Sequence, residues 1–271
     1  MATMLLYSSC VKDTLYNTPH PDKGAVAIVI DGISSGKYVA DIDGQPSDIT
    51  GIPFVYPVLI TPGSHSLVAY NRAEGFSFDG RIARVNASTD ESRSGSAPVI
   101  SMPGYLYTAC RQVEVIPDDT LRVELPLSPR VRDLLFEIAV TQGRPELIKS
   151  VTGTLSGIAG AFDMEKEALS GEATSTVLTF TREGDKLIAD ARLLGTMGPV
   201  QTLVLDIVFV DANRTQRTEV DLSEAMAQFN SNMTTGYQIT GELETPNGME
   251  QVTAIITDWN DIDGDDVTAE M

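Results

Sequence analysis

Gly32-Ile33-Ser34-Ser35-Gly36 fits the G-x-S-x-G pattern of a serine hydrolase, in which a serine hydroxyl attacks an ester or amide carbonyl. That chemistry needs a sharp strand-to-helix turn that lifts the hydroxyl above a parallel sheet. The residues after Gly36, KYVADIDG, read as a strand, so the segment is expected to be a turn made of Gly and Ser, with Ser34 not a nucleophile. The same glycines with Lys37 do not make a phosphate loop, because the spacing is too short and Tyr38 stands where a metal-binding hydroxyl belongs. The two histidines, His20 and His65, lack the neighbouring ligands of a metal site and the serine and carboxylate of a triad. His65 reads as a surface histidine at the mouth of a hairpin.

Near the C-terminus, DWNDIDGDD at Asp258 to Asp266 gathers carboxylates around one glycine and invites a calcium reading. A calcium loop of the EF-hand kind has glycine at its sixth position, glutamate at its twelfth and flanking helices. Counted from Asp258, Gly264 is seventh and Glu270 thirteenth, and a strand precedes them, so a solvated acidic tail is expected, with a weak, irregular cation site as the alternative. Trp259 is the only tryptophan and aromatic residues make up 6% of the chain, which leaves few rings for stacking sugars. Tyr105 and Tyr107 alternate with apolar residues and suit either one small platform or the core. Cys10 and Cys110 are the only thiols, too few for a disulfide framework or a thiolate zinc site. They could pair; otherwise Cys110, inside YLYTACRQVEV, reads as a small buried hydrophobe. No catalytic residue, metal site or cofactor site emerges, and the chain reads as a non-enzyme.

The whole chain has 271 residues and 42% hydrophobic content, enough to bury a core of one large or two modest domains. Its 38 acidic and 19 basic residues give a formal charge of -19, which repels nucleic acid and anionic lipid at long range. Nucleic acid is therefore not an expected partner. No apolar run after the first ten residues reaches the roughly 20 residues of a spanning helix.

From Ala25 onward, short apolar or alternating runs are separated by Gly, Pro, Asn and Asp, the grammar of sheets. AVAIVID, PFVYPVLIT, HSLVAYN, YLYTACRQVEV and TLRVELPL occupy the first half. In HSLVAYN, Leu67, Ala69 and Asn71 should point one way, Val68 and Tyr70 the other. TPGSH between two runs reads as a hairpin turn at Pro62-Gly63. NASTDESRSGSAP, from Asn86 to Pro98, reads as a long exposed loop. PLSPRV, from Pro126 to Val131, is the expected boundary between two domains. The second half carries LLFEIAV, TSTVLTF, KLIADARLL, QTLVLDIVFV and QVTAIIT, interrupted by two short predicted helices, PELIKSV with Pro145 at its first turn and DLSEAMAQF with Leu222, Ala225, Met226 and Phe229 on one face. QTLVLDIVFV is apolar on both faces except at Asp206, which predicts a central strand covered on both sides. The expectation is an all-β chain of two tandem β-sandwiches, 25–130 and 131–271, with short helical insertions.

Three stretches carry a resemblance: CVKDTLYNTPHPDKGAV, LITPGSHSLVAYN, and PELIKSVTGTLSGIAGAF followed by QTLVLDIVFVDANRTQRTEVDLSEAM. Together, in this order, they resemble the FimB-like family of fimbrial anchor and minor subunits of Bacteroidales. The resemblance implies two transthyretin-like, Greek-key sandwiches in an outer-membrane lipoprotein that joins other fimbrial subunits by β-strand exchange. It makes Cys10 the lipid-accepting residue and residues 1–24 a truncated signal remnant and tether. MATMLLYSS ahead of Cys10 has no Lys or Arg and reads as the end of a longer signal segment. If the first domain loses a strand by proteolysis, Lys23, Arg81 and Arg84 are the candidate cleavage positions. The rival expectation is a surface glycan-binding lipoprotein of tandem β-sandwiches that uses Tyr105, Tyr107 or Trp259; a host receptor is a further candidate partner, with no residues assigned to it.

Overall fold

A computed structural model describes residues 22–31, 37–88, 99–210 and 214–245. Cys10, His20, the segment holding Ser34, most of the NASTDESRSGSAP segment, QVTAIIT, Trp259 and the acidic C-terminal stretch lie outside the described residues.

The described chain is almost entirely β. Its strands are β1 (Ala25–Asp31), β2 (Tyr38–Ile42), β3 (Gln45–Ile49), β4 (Phe54–Val55), β5 (Gly63–Asn71), β6 (Phe76–Asp79), β7 (Ile82–Val85), β8 (Val99–Ile100) and β9 (Tyr107–Val115). There follow β10 (Thr120–Pro126), β11 (Ser128–Pro129), β12 (Arg132–Gln142), β13 (Ile148–Asp163), β14 (Ala168–Glu183), β15 (Lys186–Leu193), β16 (Thr202–Phe209), β17 (Thr215–Asp221) and β18 (Tyr237–Glu244). They form a three-stranded sheet β10-β1-β4, a five-stranded sheet β11-β9-β5-β2-β3, and a ten-stranded sheet whose main path is β17-β16-β13-β14-β15-β12-β18.

The period of two in β5 explains how the layers stack. Leu67 and Ala69 pack with Val26, Ile28 and Ile30 of β1 in a core between the two smaller sheets. Val68 and Tyr70, on the opposite face, join a second and larger core with Phe136, Leu155 and Leu205. The five-stranded sheet is thus buried on both sides. Its second face is covered by the β6–β7 hairpin, where Tyr70 and Phe78 stack with ring centroids 5.0 Å apart. β7 also pairs with β13 and β8 pairs with β14, so strands from both sides of Pro126 share one sheet.

In the largest sheet, β13 and β14 are each 16 residues long. β14 pairs with β13 along most of its length and with β15 at Thr181 to Glu183, passing from one half of the sheet to the other. The two halves close over the larger core, as in a sandwich, with Phe136 and Phe180 centroids 6.0 Å apart. A register shift in β13 falls at Gly157, whose φ is +74° and whose missing Cβ would lie 2.1 Å from the Val200 carbonyl oxygen. Only glycine fits both the backbone and the contact.

Four local expectations change. PELIKSV is helical only as a single 3-10 turn, Pro145–Leu147; the ladder with β16 takes the chain from Ile148 onward because Ile148 and Val151 are core residues. DLSEAMAQF is a succession of turns ending in a 3-10 turn, Phe229–Ser231, although Leu222, Met226 and Phe229 are all buried as a common face demands. β16 is an internal strand paired with β13 and β17, but only Leu203, Leu205, Ile207 and Phe209 are buried, and Val204 and Val208 are half-exposed. PFVYPVLIT and HSLVAYN do not pair as a hairpin: Phe54 and Val55 pair with β1, and β5 pairs with β2 and β9. Pro53 and Pro57 lack the N–H groups that a longer ladder would need.

Candidate functional site

β1 is the strand on which the site is built. Val26, Ile28 and Ile30 are at most 4% exposed and fill the smaller core, each worth about 1.5–3 kcal/mol of burial. Along one edge, all seven residues of β1 pair in parallel with β10, from Ala25 opposite Thr120 to Asp31 opposite Pro126. Along the other edge, the only ladder among the described residues is with the two residues of β4, Val55 opposite Ala27 and Phe54 opposite Ile28. Beyond that ladder, the Tyr56 N–H donates to the Val26 carbonyl at 2.9 Å. Gly24 and Ile60 exchange two backbone bonds of 2.8 Å. One edge of β1 is zipped; the other is held by a short, proline-interrupted cover at residues 51–62.

The cover buries two rings, Phe54 and Tyr56, and leaves Ile52, Val55 and Val58 exposed. It is fastened at two points to the β2–β3 turn. Asp43 and Gly44 at that turn both have positive φ, the geometry of a two-residue hairpin loop. The Tyr56 hydroxyl donates to the Gln45 carbonyl. His65, at the start of β5, has Nδ1 2.5 Å from Asp43 Oδ2 and Nε2 2.7 Å from the Thr61 carbonyl oxygen. The other carboxylate oxygen of Asp43 accepts the Ser66 N–H at 2.9 Å. The His65 side chain is only 12% exposed, so the surface histidine expected from sequence is a clamped one. Its partner Asp43 is 22 residues away, which spacing along the chain could not reveal.

At its beginning β1 is pinned as well. Asp118 N–H donates to the Lys23 carbonyl and Ala25 N–H to the Asp119 carbonyl, both at 2.9 Å. A Cβ on Gly24 would lie 2.4 Å from the Ile116 carbonyl oxygen, so only glycine passes here. The segment upstream of Lys23 therefore leaves from a fixed point beside the β9–β10 turn.

The other polar cluster joins the smaller sheets to the largest one. Arg81, at the β6–β7 turn, donates Nε and Nη2 to Asp41 Oδ1 at 2.9 and 2.6 Å. Its Nη1 donates to Ser66 Oγ and Glu165 Oε1, both at 2.7 Å. Nearby Arg130 pairs with Glu167 and lies 4.9 Å from the centroid of the Phe162 ring. The β13–β14 turn is thereby bolted to the five-stranded sheet. These partners saturate Arg81, and Arg84 lies inside β7 between β6 and β13, whereas Lys23 precedes the first strand.

Tyr38–Ile42 is a strand, so the segment around Ser34 does not lead into a helix. Cys110 is half-buried against the larger core, and burial pushes its thiol up. Tyr105 is 40% exposed, its hydroxyl 2.9 Å from both oxygens of Asp133 and its ring 5.3 Å from the Arg192 guanidinium carbon. Tyr107 is half-buried. Among the described residues no cluster of His, Cys, Asp and Glu could hold a metal, and no helix is long and apolar enough to cross a membrane.

The sequence profile of the family described as fimbrillin-A associated anchor proteins Mfa1 and Mfa2 matches residues 34–263. The chain belongs to this family. No curated protein sequence matches it significantly. Among solved structures, a candidate adhesin from Bacteroides ovatus superposes with a TM-score of 0.64 at 16% identity, covering 92% of this chain and 100% of that one. The fimbrial anchor protein Mfa2 from Porphyromonas gingivalis gives 0.56 at 12% identity, covering 82% and 90%. A candidate polysaccharide-binding protein from Bacteroides thetaiotaomicron gives 0.54 at 10% identity, covering 82% and 92%. At these identities the structures establish a shared fold, and the family profile establishes the fimbrial relationship.

Proposed function

We propose that this chain is a non-enzymatic, anchor-type fimbrial subunit, held at the outer membrane by lipid on Cys10 and joined to other subunits by β-strand exchange. The observation that carries the exchange reading is the unequal cover of β1: seven paired residues on one edge and a two-residue ladder on the other. Displacing a short cover breaks few backbone bonds, and an incoming strand replaces them with a longer ladder. Cys10 lies 13 positions before Lys23. Extended at about 3.3–3.6 Å per residue, that tether spans roughly 45 Å, enough to hold the folded part clear of the headgroups. Stable attachment requires more than one acyl chain.

Mass spectrometry of the protein extracted from outer membranes tests the attachment. Multiply acylated Cys10 is the expected species, and an unmodified full-length Cys10 removes the lipid anchor. Purified intact fimbriae should contain the chain at their membrane-proximal end.

A second reading, glycan binding, is favoured by Tyr105, which is 40% exposed beside Asp133 and Arg192. A stacked sugar would use the ring, and the two charged neighbours would contact its hydroxyls. Polysaccharide binding that survives Tyr105→Ala excludes this platform.

A further inference from the structure

We infer that His65 is a protonation-operated clasp on the cover of β1: the charged imidazole ties Asp43 to Thr61 and holds residues 51–62 in place, and loss of its proton releases the end of the cover that leads into β5. Both ring nitrogens face acceptors, Asp43 Oδ2 at 2.5 Å and the Thr61 carbonyl oxygen at 2.7 Å. A neutral imidazole carries one N–H and can donate to one of them only; the imidazolium donates to both. Deprotonation therefore leaves either the carboxylate or the carbonyl facing a lone pair.

The charges around the ring favour the imidazolium. Asp43 faces it from the β2–β3 turn, and Glu114 is the next negative group, on β9. Arg81 is a cation that also acts on Asp43, but its donors are directed to Asp41, Ser66 and Glu165. The cover itself, GIPFVYPVLITP, contributes no acid or base apart from Tyr56, whose hydroxyl is bonded to Gln45. The Asp43 hydrogen bond, acting against burial and aided by the Thr61 carbonyl, lifts the imidazole above its ordinary value near 6.5. The clasp is closed on the acid side of that raised value and opens on the alkaline side.

Because Tyr56 and His65 fasten to the same turn, release at His65 leaves the cover tied to that turn by the Tyr56 hydroxyl alone. Opening of the cover is a property of this chain; only the further step, capture of a partner's strand by the uncovered edge of β1, rests on the strand-exchange reading.

Hydrogen exchange at the Tyr56 and Ile60 amides of the full chain, corrected for intrinsic pH dependence, reads the cover directly. These amides donate to the Val26 and Gly24 carbonyls. Protection should fall about tenfold as pH rises through the His65 titration, the size of one lost hydrogen bond to a charged group. Amides of the β5–β9 ladder should show no such step. His65→Gln should abolish the step, and Asp43→Asn should move it to lower pH, a readout that stands even where His65→Gln fails to fold. Protection without a step in the unmodified chain, or an unshifted step in Asp43→Asn, overturns the clasp. Neither result depends on whether fimbrial subunits exchange strands.

Discussion

The Arg81 guanidinium grips Asp41 across the join between the smaller sheets and the largest one, with two of its nitrogens 2.6 and 2.9 Å from the same carboxylate oxygen. Asp41 is 2% exposed, so its charge has no recourse to water once the guanidinium is gone. Arg81→Met should lower the free energy of unfolding by about 3–5 kcal/mol, the cost of leaving one member of a buried pair uncompensated. Pairing that change with Asp41→Leu should recover part of the loss. Glu165 is half-exposed, and Glu165→Gln should cost less than about 1 kcal/mol. Urea unfolding of the three variants measures all of this.

β1 holds the smaller core together. Ile28 is fully buried between the two small sheets, and Ile28→Ala should cost about 2–5 kcal/mol. Val29, which faces outward and is half-exposed, should tolerate alanine with a much smaller loss in the same urea experiment.

Much of this was legible in the sequence. The run AVAIVID is β1 to the residue, and the alternation in HSLVAYN divides its side chains between two cores as period two requires. The pairing of the proline-broken PFVYPVLIT run with β1 was not legible, because hydrophobicity says that a segment is buried and not which edge it lies on. β13 was hidden for a different reason. Gly153, Gly157 and Gly160 interrupt its apolar pattern, and they are there because Phe180, the Val200 carbonyl and Thr174 crowd those positions. The network around Arg81 was not legible either, because its partners are 15 to 84 residues away.

Gly157→Ala tests the close approach in β13. With φ at +74° and the Val200 carbonyl in the path of a Cβ, the substitution should destabilise by about 1–3 kcal/mol and shift the thermal midpoint down.

Stability should fall at both ends of the pH scale, for opposite reasons. Burial works upward on Asp163, but Lys166 and the N–H groups of Lys166 and Glu165 outweigh it and hold the carboxyl below its usual range. Burial is likewise outweighed at Asp43 by His65 and the Ser66 N–H. These contributions are present above the ordinary carboxylate range and are lost as pH falls through the lowered folded values. The His65 contribution is present below the ordinary imidazole value and is lost as pH rises through the raised one. Urea midpoints followed across pH should describe a dome, with Asp163→Asn flattening its acid limb and His65→Gln its alkaline limb.

On the reading proposed above, β1 and its cover form the place where another subunit joins. Photo-crosslinking from a benzophenone side chain at Val55, carried out in fimbriae assembled on the cell, tests it most directly. Val55 is 41% exposed and sits opposite Ala27 of β1. The account predicts a covalent adduct with a second fimbrial subunit, at a peptide that reads as an extended strand. Fimbriae that assemble normally while Val55 crosslinks only within its own chain would contradict it.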